Sequence, residues 1–538
     1  MCALRLPWSQ AEGELSYINM LAASVRASGG SARDSKATAP PPKATLTTAP
    51  PELLARIEEY LDKDSLLAYI GCCKSMRTIG VRTLLLAYPV VLKTPVNVES
   101  FCDFMHADLP HRKPFLRSFT LDTPFPSSEI VLSLRGRLAH ILLNASMLSY
   151  LAFGRCLKDI VEHSPALFSA IQWLPSLTTL KMKTESGSWP YVILRLQAAP
   201  LKEVDMGYLA IDAPDAFGKH AATLRSLTIG ARSITTALGS TAYANMTSFC
   251  WTGATESGAW DIAAMIGLFP NLVKLSAWMR VRSSGSALTM FINSLSTMSF
   301  PYQAIRAENM EKQSKKRWSR LRRLFGDPNS LYILPLDCEL DIISITDRLE
   351  LWDCTEHIHD IVRDIRHPVG TLHLRYCPAW EPTLAENLGT LPPDALPEKS
   401  AHIINLFVVE LFIPSDATSQ KLWDIAAAWP VLIGRVAPQK VLLHVHVVRC
   451  PQAGGTFPTA AEMYVEEGGI LSLGRVIAEA SKATSTIYTM TSWHGGHRVE
   501  GWTNVGGLGS EPVVVKLSDA KRVYKMEKEV DGILFSLA

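Results

Sequence analysis

The feature that most constrains this chain is an apolar pattern, LxxLxL, that returns at a near-regular period. It reads Leu116, Phe119, Leu121; Leu148, Leu151, Phe153; Leu177, Leu180, Met182; Leu201, Val204, Met206; Leu224, Leu227, Ile229; Met246, Phe249, Trp251; and Leu272, Leu275, Ala277. Successive first positions lie 32, 29, 24, 23, 22 and 26 residues apart. A period of about 20–29 residues marks stacked strand-and-turn units, none of which can bury its apolar face alone. Positions one, four and six turn inward along a turn and a short strand, while intervening residues such as Arg225, Ser226 and Thr228 can face water. The stretches between are compatible with helix, as at residues 158–173 and 257–268, and several end in proline before the next strand, as at Pro175 and Pro270. The expected fold is α/β, a curved parallel sheet with helices outside it.

The pattern lapses between Trp278 and Asp347, a stretch that holds the basic run Lys312, Lys315, Lys316, Arg317, Arg320, Arg322 and Arg323. That run reads as a solvated helix or surface insertion, with nucleic-acid stacking on Trp318 as its functional alternative. Similar strands return at Leu349-Glu350-Leu351, Leu372-His373-Leu374 and Leu411-Phe412-Ile413, and residues 441–448 read as a further buried strand. The array is expected to span residues 89–450, less regular at about 300–335. Residues 451–538 are expected to form a C-terminal cap or extension, with a helix at 459–483, a loop at 493–510 and a last strand.

Ahead of the array, residues 1–48 are rich in Ser, Ala, Gly, Thr, Lys and Pro and hold few large apolar side chains beyond residue 22, so they read as a disordered leader. Order is expected from Pro50-Pro51-Glu52, because proline suits the first turn of a helix and Glu52 complements its positive end. Leu53, Ile57, Tyr60 and Leu61 recur at helical spacing. The stretch 62–65 offers an N-cap for a second helix carrying Leu66, Leu67 and Ile70, and a third runs from Lys74 to Leu86. An apolar three-helix module of this size, residues 49–88, needs a partner to complete its core. That partner can be another protein, or the array that the helices cap.

Pro50-Pro51-Glu52-Leu53-Leu54, Ile57, Tyr60-Leu61, Asp64, Leu66-Leu67 and Cys72-Cys73-Lys74-Ser75-Met76-Arg77 resemble the F-box motif, with Ala49 where that family usually has leucine and Met76 where tryptophan is frequent. The repeats resemble the degenerate leucine-rich arrays that follow the F-box in many fungal F-box proteins. The resemblance implies a substrate receptor of an SCF-type cullin-RING ubiquitin ligase. Its F-box would dock on a Skp-family adaptor, and through it a cullin, by way of Pro50, Leu53, Ile57, Leu61 and Leu66. Its repeats would hold a target protein through residues the sequence does not identify. A repeat scaffold unconnected with ubiquitin is the competing expectation.

A net charge of +2 supplies no global field toward nucleic acid or an anionic membrane. No apolar run reaches the ~20 residues needed to span a bilayer, and the first twenty residues are broken by Arg5, Glu12 and Glu14, unlike a secretory signal. A soluble protein of the cytoplasm or nucleus is expected. The 10 cysteines show no CxxC spacing and read as free thiols.

Catalytic and metal motifs are weak. Cys354, His357, His359 and Asp360 lie close in sequence, His444 and His446 share one face of a strand, and His494 and His497 flank two glycines. Isolated pairs of this kind are more often surface or satisfied core residues, so no metal, cofactor or catalytic residue is expected. Residues 506–510 lack the lysine of a phosphate-binding loop, and no GxSxG elbow is present.

Overall fold

The computed structural model describes residues 51–123, 129–154, 164–182, 199–210, 217–230, 234–252, 260–278, 301–346, 355–376, 404–414, 438–448, 484–493, 496–503 and 513–514, apart from 144, 336 and 366, together with positions 196, 215, 433, 436 and 463. The expected leader, Pro50, the strand at 349–351 and, but for Met463, the helix at 459–483 lie outside these residues. The chain is α/β and divides into two units, Met1–Met246 and Thr247–Ala538.

The first unit opens with three helices, α1 (Pro51–Glu58), α2 (Lys63–Cys72) and α3 (Lys74–Ala87). Asp62 caps α2, its carboxylate accepting from the Ser65 amide at 2.8 Å, so the polar interruption in the sequence does what its residue types predict. Strand β1 (Val90–Leu92) follows, then α4 (Pro95–His106), α5 (Leu109–Arg112), β2 (Ser118–Leu121), α6 (Glu129–Leu143), β3 (Tyr150–Phe153), α7 (Pro165–Gln172), β4 (Thr179–Met182), β5 (Glu203–Ala210), β6 (Ser226–Gly230) and α8 (Ile234–Leu238). The strands β1 to β6 pair in chain order and in parallel.

The second unit begins with β7 (Ser248–Thr252), α9 (Ile262–Leu268), β8 (Lys274–Trp278), α10 (Tyr302–Lys315), β9 (Arg323–Gly326), α11 (Pro328–Ile333), β10 (Ile342–Thr346), α12 (Thr355–Arg363) and β11 (Val369–Tyr376). Four long strands end it, β12 (Ile404–Pro414), β13 (Lys440–Val448), β14 (Thr486–Trp493) and β15 (Gly496–Thr503), with the short β16 (Val513–Val514). From β7 to β14 neighbours are parallel, and β15 and β16 turn back antiparallel. A parallel strand therefore lies beyond residue 450, and the stretch expected as a loop at 493–510 contains β15.

Every one of the 21 residues named for the seven LxxLxL units is at most 2% exposed. The backbone explains the regularity. In six of the seven units the carbonyl one residue after the first motif position accepts two amides from the next unit, as Arg117 O does from Ser149 and Tyr150 and Lys202 O from Arg225 and Ser226. This clamp fixes the register, so one face of every strand delivers its apolar residues to the helices.

The same clamp shows that the motif does not lapse after Trp278. Arg322 and Arg323 both donate to Val273 O, and Asp341 and Ile342 both donate to Arg322 O. Two further units, Leu321, Leu324, Gly326 and Leu340, Ile343, Ile345, stand in register with Leu275 and Ala277. The strand expected around Leu411 is likewise set by Ile404, Phe407 and Val409, which align with Leu372 and Leu374.

Lys315, Lys316, Arg317, Arg320 and Arg323 of the basic run are exposed, whereas the other face of α10 buries Arg306, Asn309 and Gln313. These residues recur at 3 and 4, on one helix face. They donate to Tyr332 O, Ile333 O and Pro335 O, satisfying carbonyls at the end of α11 that no turn of helix follows to accept. Asn309 also accepts from the Ile262 amide at 3.3 Å. A helix with little apolar surface is thus held by backbone carbonyls rather than by a greasy stripe.

Candidate functional site

Two places concentrate chemistry that the fold alone does not use. One is the outer face of α1 and the other a polar patch on the sheet of the second unit.

Helix α1 has two faces of different character. Leu54 and Glu58, four residues apart, point inward at 2% and 1% exposure, where Thr83 of α3 donates to Glu58 at 2.7 Å. Leu53, Ile57 and Tyr60, at i, i+4 and i+7, stay in solvent at 56%, 36% and 83% exposure. Of the residues expected at a docking face, Leu53 and Ile57 are therefore exposed, and Leu61 is half-buried with its carbonyl accepting from the Tyr88 hydroxyl at 3.1 Å. Leu66 is buried at 0% exposure, so it does not lie on the exposed docking face expected for it. Hydrophobic spacing cannot distinguish an inner from an outer face when a short helix carries apolar residues on both.

Close packing holds this module. A Cβ at Gly80 of α3 would come within 2.6 Å of Ile70 Cγ1, so glycine is what lets α2 and α3 approach. Burial raises the Glu58 carboxyl above its ordinary pKa of 4.5, against the opposing hydrogen bonds from Thr83 and Tyr69. Folding therefore takes up a proton at Glu58, and its contribution to stability is lost as pH rises from about 4.5 through the raised value. Glu58→Gln keeps the hydrogen-bonding shape without the charge. Its stability relative to wild type is expected to grow as pH rises through this window and then level off, as measured by amide exchange in α1 to α3. A pH-independent difference would contradict the assignment.

The basic run is largely neutralised where it lies. Lys312 is 2.6 Å from Glu308 and 3.2 Å from Asp261, Lys315 is 2.6 Å from Glu311, Arg317 is 3.6 Å from Asp337, and Arg322 is 3.2 Å from Glu339. Trp318, considered for base stacking, is 3% exposed and donates its indole N–H to Phe269 O at 2.8 Å. It is a core residue.

The sheet of the second unit has a second face, opposite the motif ladder. On β10 to β13 this face carries Ser344 and Thr346, His373 and Arg375, Glu410, and His444 and His446. Register places Thr346, Arg375, Glu410 and His444 side by side in one lateral row. Ser344, Thr346, His373, Glu410 and His444 are each at most 3% exposed. Ser344 Oγ is 2.8 Å from His373 Nδ1, and Oε2 of Glu410 is 3.4 Å from both His373 Nε2 and Arg375 Nε. Burial works to raise the Glu410 carboxyl, but the hydrogen bond and charge of His373, with the charges of Arg375 and His446, outweigh it and hold the group down at about 2. The carboxylate is ionised at neutral pH.

Ser344, His373 and Glu410 form a hydroxyl–imidazole–carboxylate chain with the order of a nucleophilic triad. A nucleophile must be reached by its substrate, however, and Ser344 is 1% exposed in the middle of a strand. The chain fits a buried polar network in which each group orients the next.

The other histidines singled out in the sequence have structural partners. His357 Nδ1 is 2.6 Å from Asn329 Oδ1 and its ring stacks on Tyr332 at 4.0 Å, while Asp360 pairs with Arg363 at 2.5 Å. Cys354, the His359 side chain and His494 lie outside the described residues, and His497 belongs to β15. Glu410, Ser344 and His373 had no signal as a site in the sequence, because strands offset by 29 and 35 residues bring them together. No family profile matches the chain, and no curated protein is significantly similar to it.

Proposed function

We propose that the chain is a substrate-receptor subunit of an SCF-type cullin-RING ubiquitin ligase. Helices α1 to α3 act as an F-box that docks on a Skp-family adaptor, and the parallel-stranded units form a leucine-rich-repeat solenoid that holds a target protein. The chain itself catalyses nothing in this reading; it raises the effective concentration of the target beside the ligase. It works in the cytoplasm or nucleus. No helix among the described residues is long and apolar enough to cross a membrane.

The observation that supports this best is the exposure of Leu53 and Ile57, 56% and 36%, on a helix whose other face is already committed to a core. Apolar residues adjacent on one exposed helix face are what a helix-docking partner buries.

One observation favours the second reading, a repeat scaffold whose helices cap its N-terminal end. The inner side of the module is engaged with the rest of its unit: Arg82 of α3 lies 5.1 Å from the centre of the Phe115 ring, after α5. Capping and docking use different sides, so the two are separable. Co-expression with a Skp-family adaptor, followed by purification on the adaptor, distinguishes them. Capture is expected for the wild-type full chain and loss of capture for Leu53→Asp, Ile57→Asp, since two charges on a docking face leave it undesolvated. Failure of the wild type to co-purify leaves the scaffold.

A further inference from the structure

We propose that Glu410, His444 and His446 form a binding site for a divalent transition-metal ion of the zinc class. His444 and His446 are two residues apart on β13, hence on one face of the strand, and Glu410 on β12 stands directly opposite His444 in register. One ligand atom from each of the three lies within 4.8 Å of the other two, the one such convergence of histidine, cysteine and carboxylate groups among the described residues. The two imidazole rings sit with centroids 3.5 Å apart, tilted by 44°. Two imidazoles and a carboxylate are a ligand set that zinc accepts at about 2.0–2.2 Å, so closure onto an ion needs side-chain rotations and no change of fold.

A further feature suits an ion. The carboxylate is oriented from behind: His373 Nε2 lies 3.4 Å from Glu410 Oε2 and its Nδ1 is 2.8 Å from Ser344 Oγ, the kind of outer contact that steers a metal ligand. His373 is accordingly a positioning residue. His446 is half-buried where Glu410 and His444 are buried. Arg375, 3.4 Å from the same carboxylate oxygen, holds Glu410 in the absence of an ion.

The test uses the full chain, stripped with a chelator and titrated with Zn2+ by calorimetry and with Co2+ by visible d–d absorption. One equivalent per chain is expected, with tetrahedral Co2+ bands. Binding should be weakened more than about 100-fold by His446→Ala and by Glu410→Gln, and about 10- to 100-fold by His373→Asn, as for loss of an outer partner. Should a variant fail to fold, the wild type still decides: Zn2+ must protect His446 from modification by diethyl pyrocarbonate, mapped by mass spectrometry. Absence of saturable binding, binding unchanged in both ligand variants, or labelling of His446 unaffected by Zn2+ would overturn the site.

Discussion

Replacing Trp251 with alanine is expected to destabilise the second unit by about 4 kcal/mol, the range for deleting a fully buried tryptophan. Trp251 occupies the sixth motif position of β7 at 0% exposure, and its ring packs on Trp260 with centroids 4.4 Å apart. Beside it Phe249 packs on Phe269 at 4.5 Å. These four rings fill the space between β7 and the start and end of α9, so their neighbours cannot close over the void without moving the strand. The pairing geometry adds roughly 0.5–1.5 kcal/mol beyond the area lost. Because two units make a single two-state transition unsafe to assume, the loss should be read from hydrogen exchange of the β7 to β9 amides rather than from one melting curve. A loss under about 1 kcal/mol would mean that this region is not the packed core described.

The second large effect comes from giving a strand the residue its own motif asks for. Gly326 holds the sixth position of the unit Leu321, Leu324, Gly326, where most other units place Leu, Met, Ile, Phe, Trp or Val and the neighbouring unit places Ala277. A Cβ there would lie 2.4 Å from Ala277 O and 2.8 Å from Leu331 Cδ2. Helix α11, capped by Asp327, starts immediately after β9, and Leu331 from that helix occupies the volume a motif side chain would take. Gly326→Leu is therefore expected to cost about 3 kcal/mol or more, at the upper end of overpacking, because the nearest atom is a backbone carbonyl that cannot rotate away. Ile345→Leu, at the same motif position one strand later, should cost less than about 1.5 kcal/mol. Equal tolerance at the two positions, measured by urea unfolding of each variant, would show that the register of β9 is not the one described.

Gly326 also shows where the sequence stopped being legible. The seven units read from leucine spacing are all core, because each buried position announces itself by size and hydrophobicity. The unit at Leu321 was hidden by its glycine, whose reason for being there is the helix that follows. That at Leu340 was hidden by isoleucines that serve as well as leucine in a strand. The longer strands β11 to β13 bury both faces, as Val408 and Leu442 opposite the ladder show, and continuous apolar runs no longer reveal which alternate residues belong to the motif. For α10 no apolar spacing announced a buried face: Arg306, Asn309 and Gln313 are buried by hydrogen bonding to carbonyls.

The two candidate sites differ in the same respect. The face of α1 depends on residues within one turn or two, and its spacing could be read directly, although which of Leu53, Leu54 and Ile57 faces outward could not. The polar patch on β10 to β13 draws on four strands spread over roughly a hundred residues, and only register brings Glu410 beside His444. His444 and His446 were visible as a pair; their third partner was not.

The central claim is that the exposed face of α1 binds a Skp-family adaptor, and its most direct test is the equilibrium affinity of the purified full chain for that adaptor, compared across two charge variants. Leu53→Asp, Ile57→Asp alters the proposed docking face, and Leu143→Asp places a charge on an equally exposed apolar residue of α6, which is 59% exposed. The account predicts saturable one-to-one binding by the wild type, affinity unchanged by Leu143→Asp, and a loss of at least about 100-fold in the α1 variant, as for removal of central apolar anchors. Absence of wild-type binding, or an affinity indifferent to the charges on α1, would contradict it.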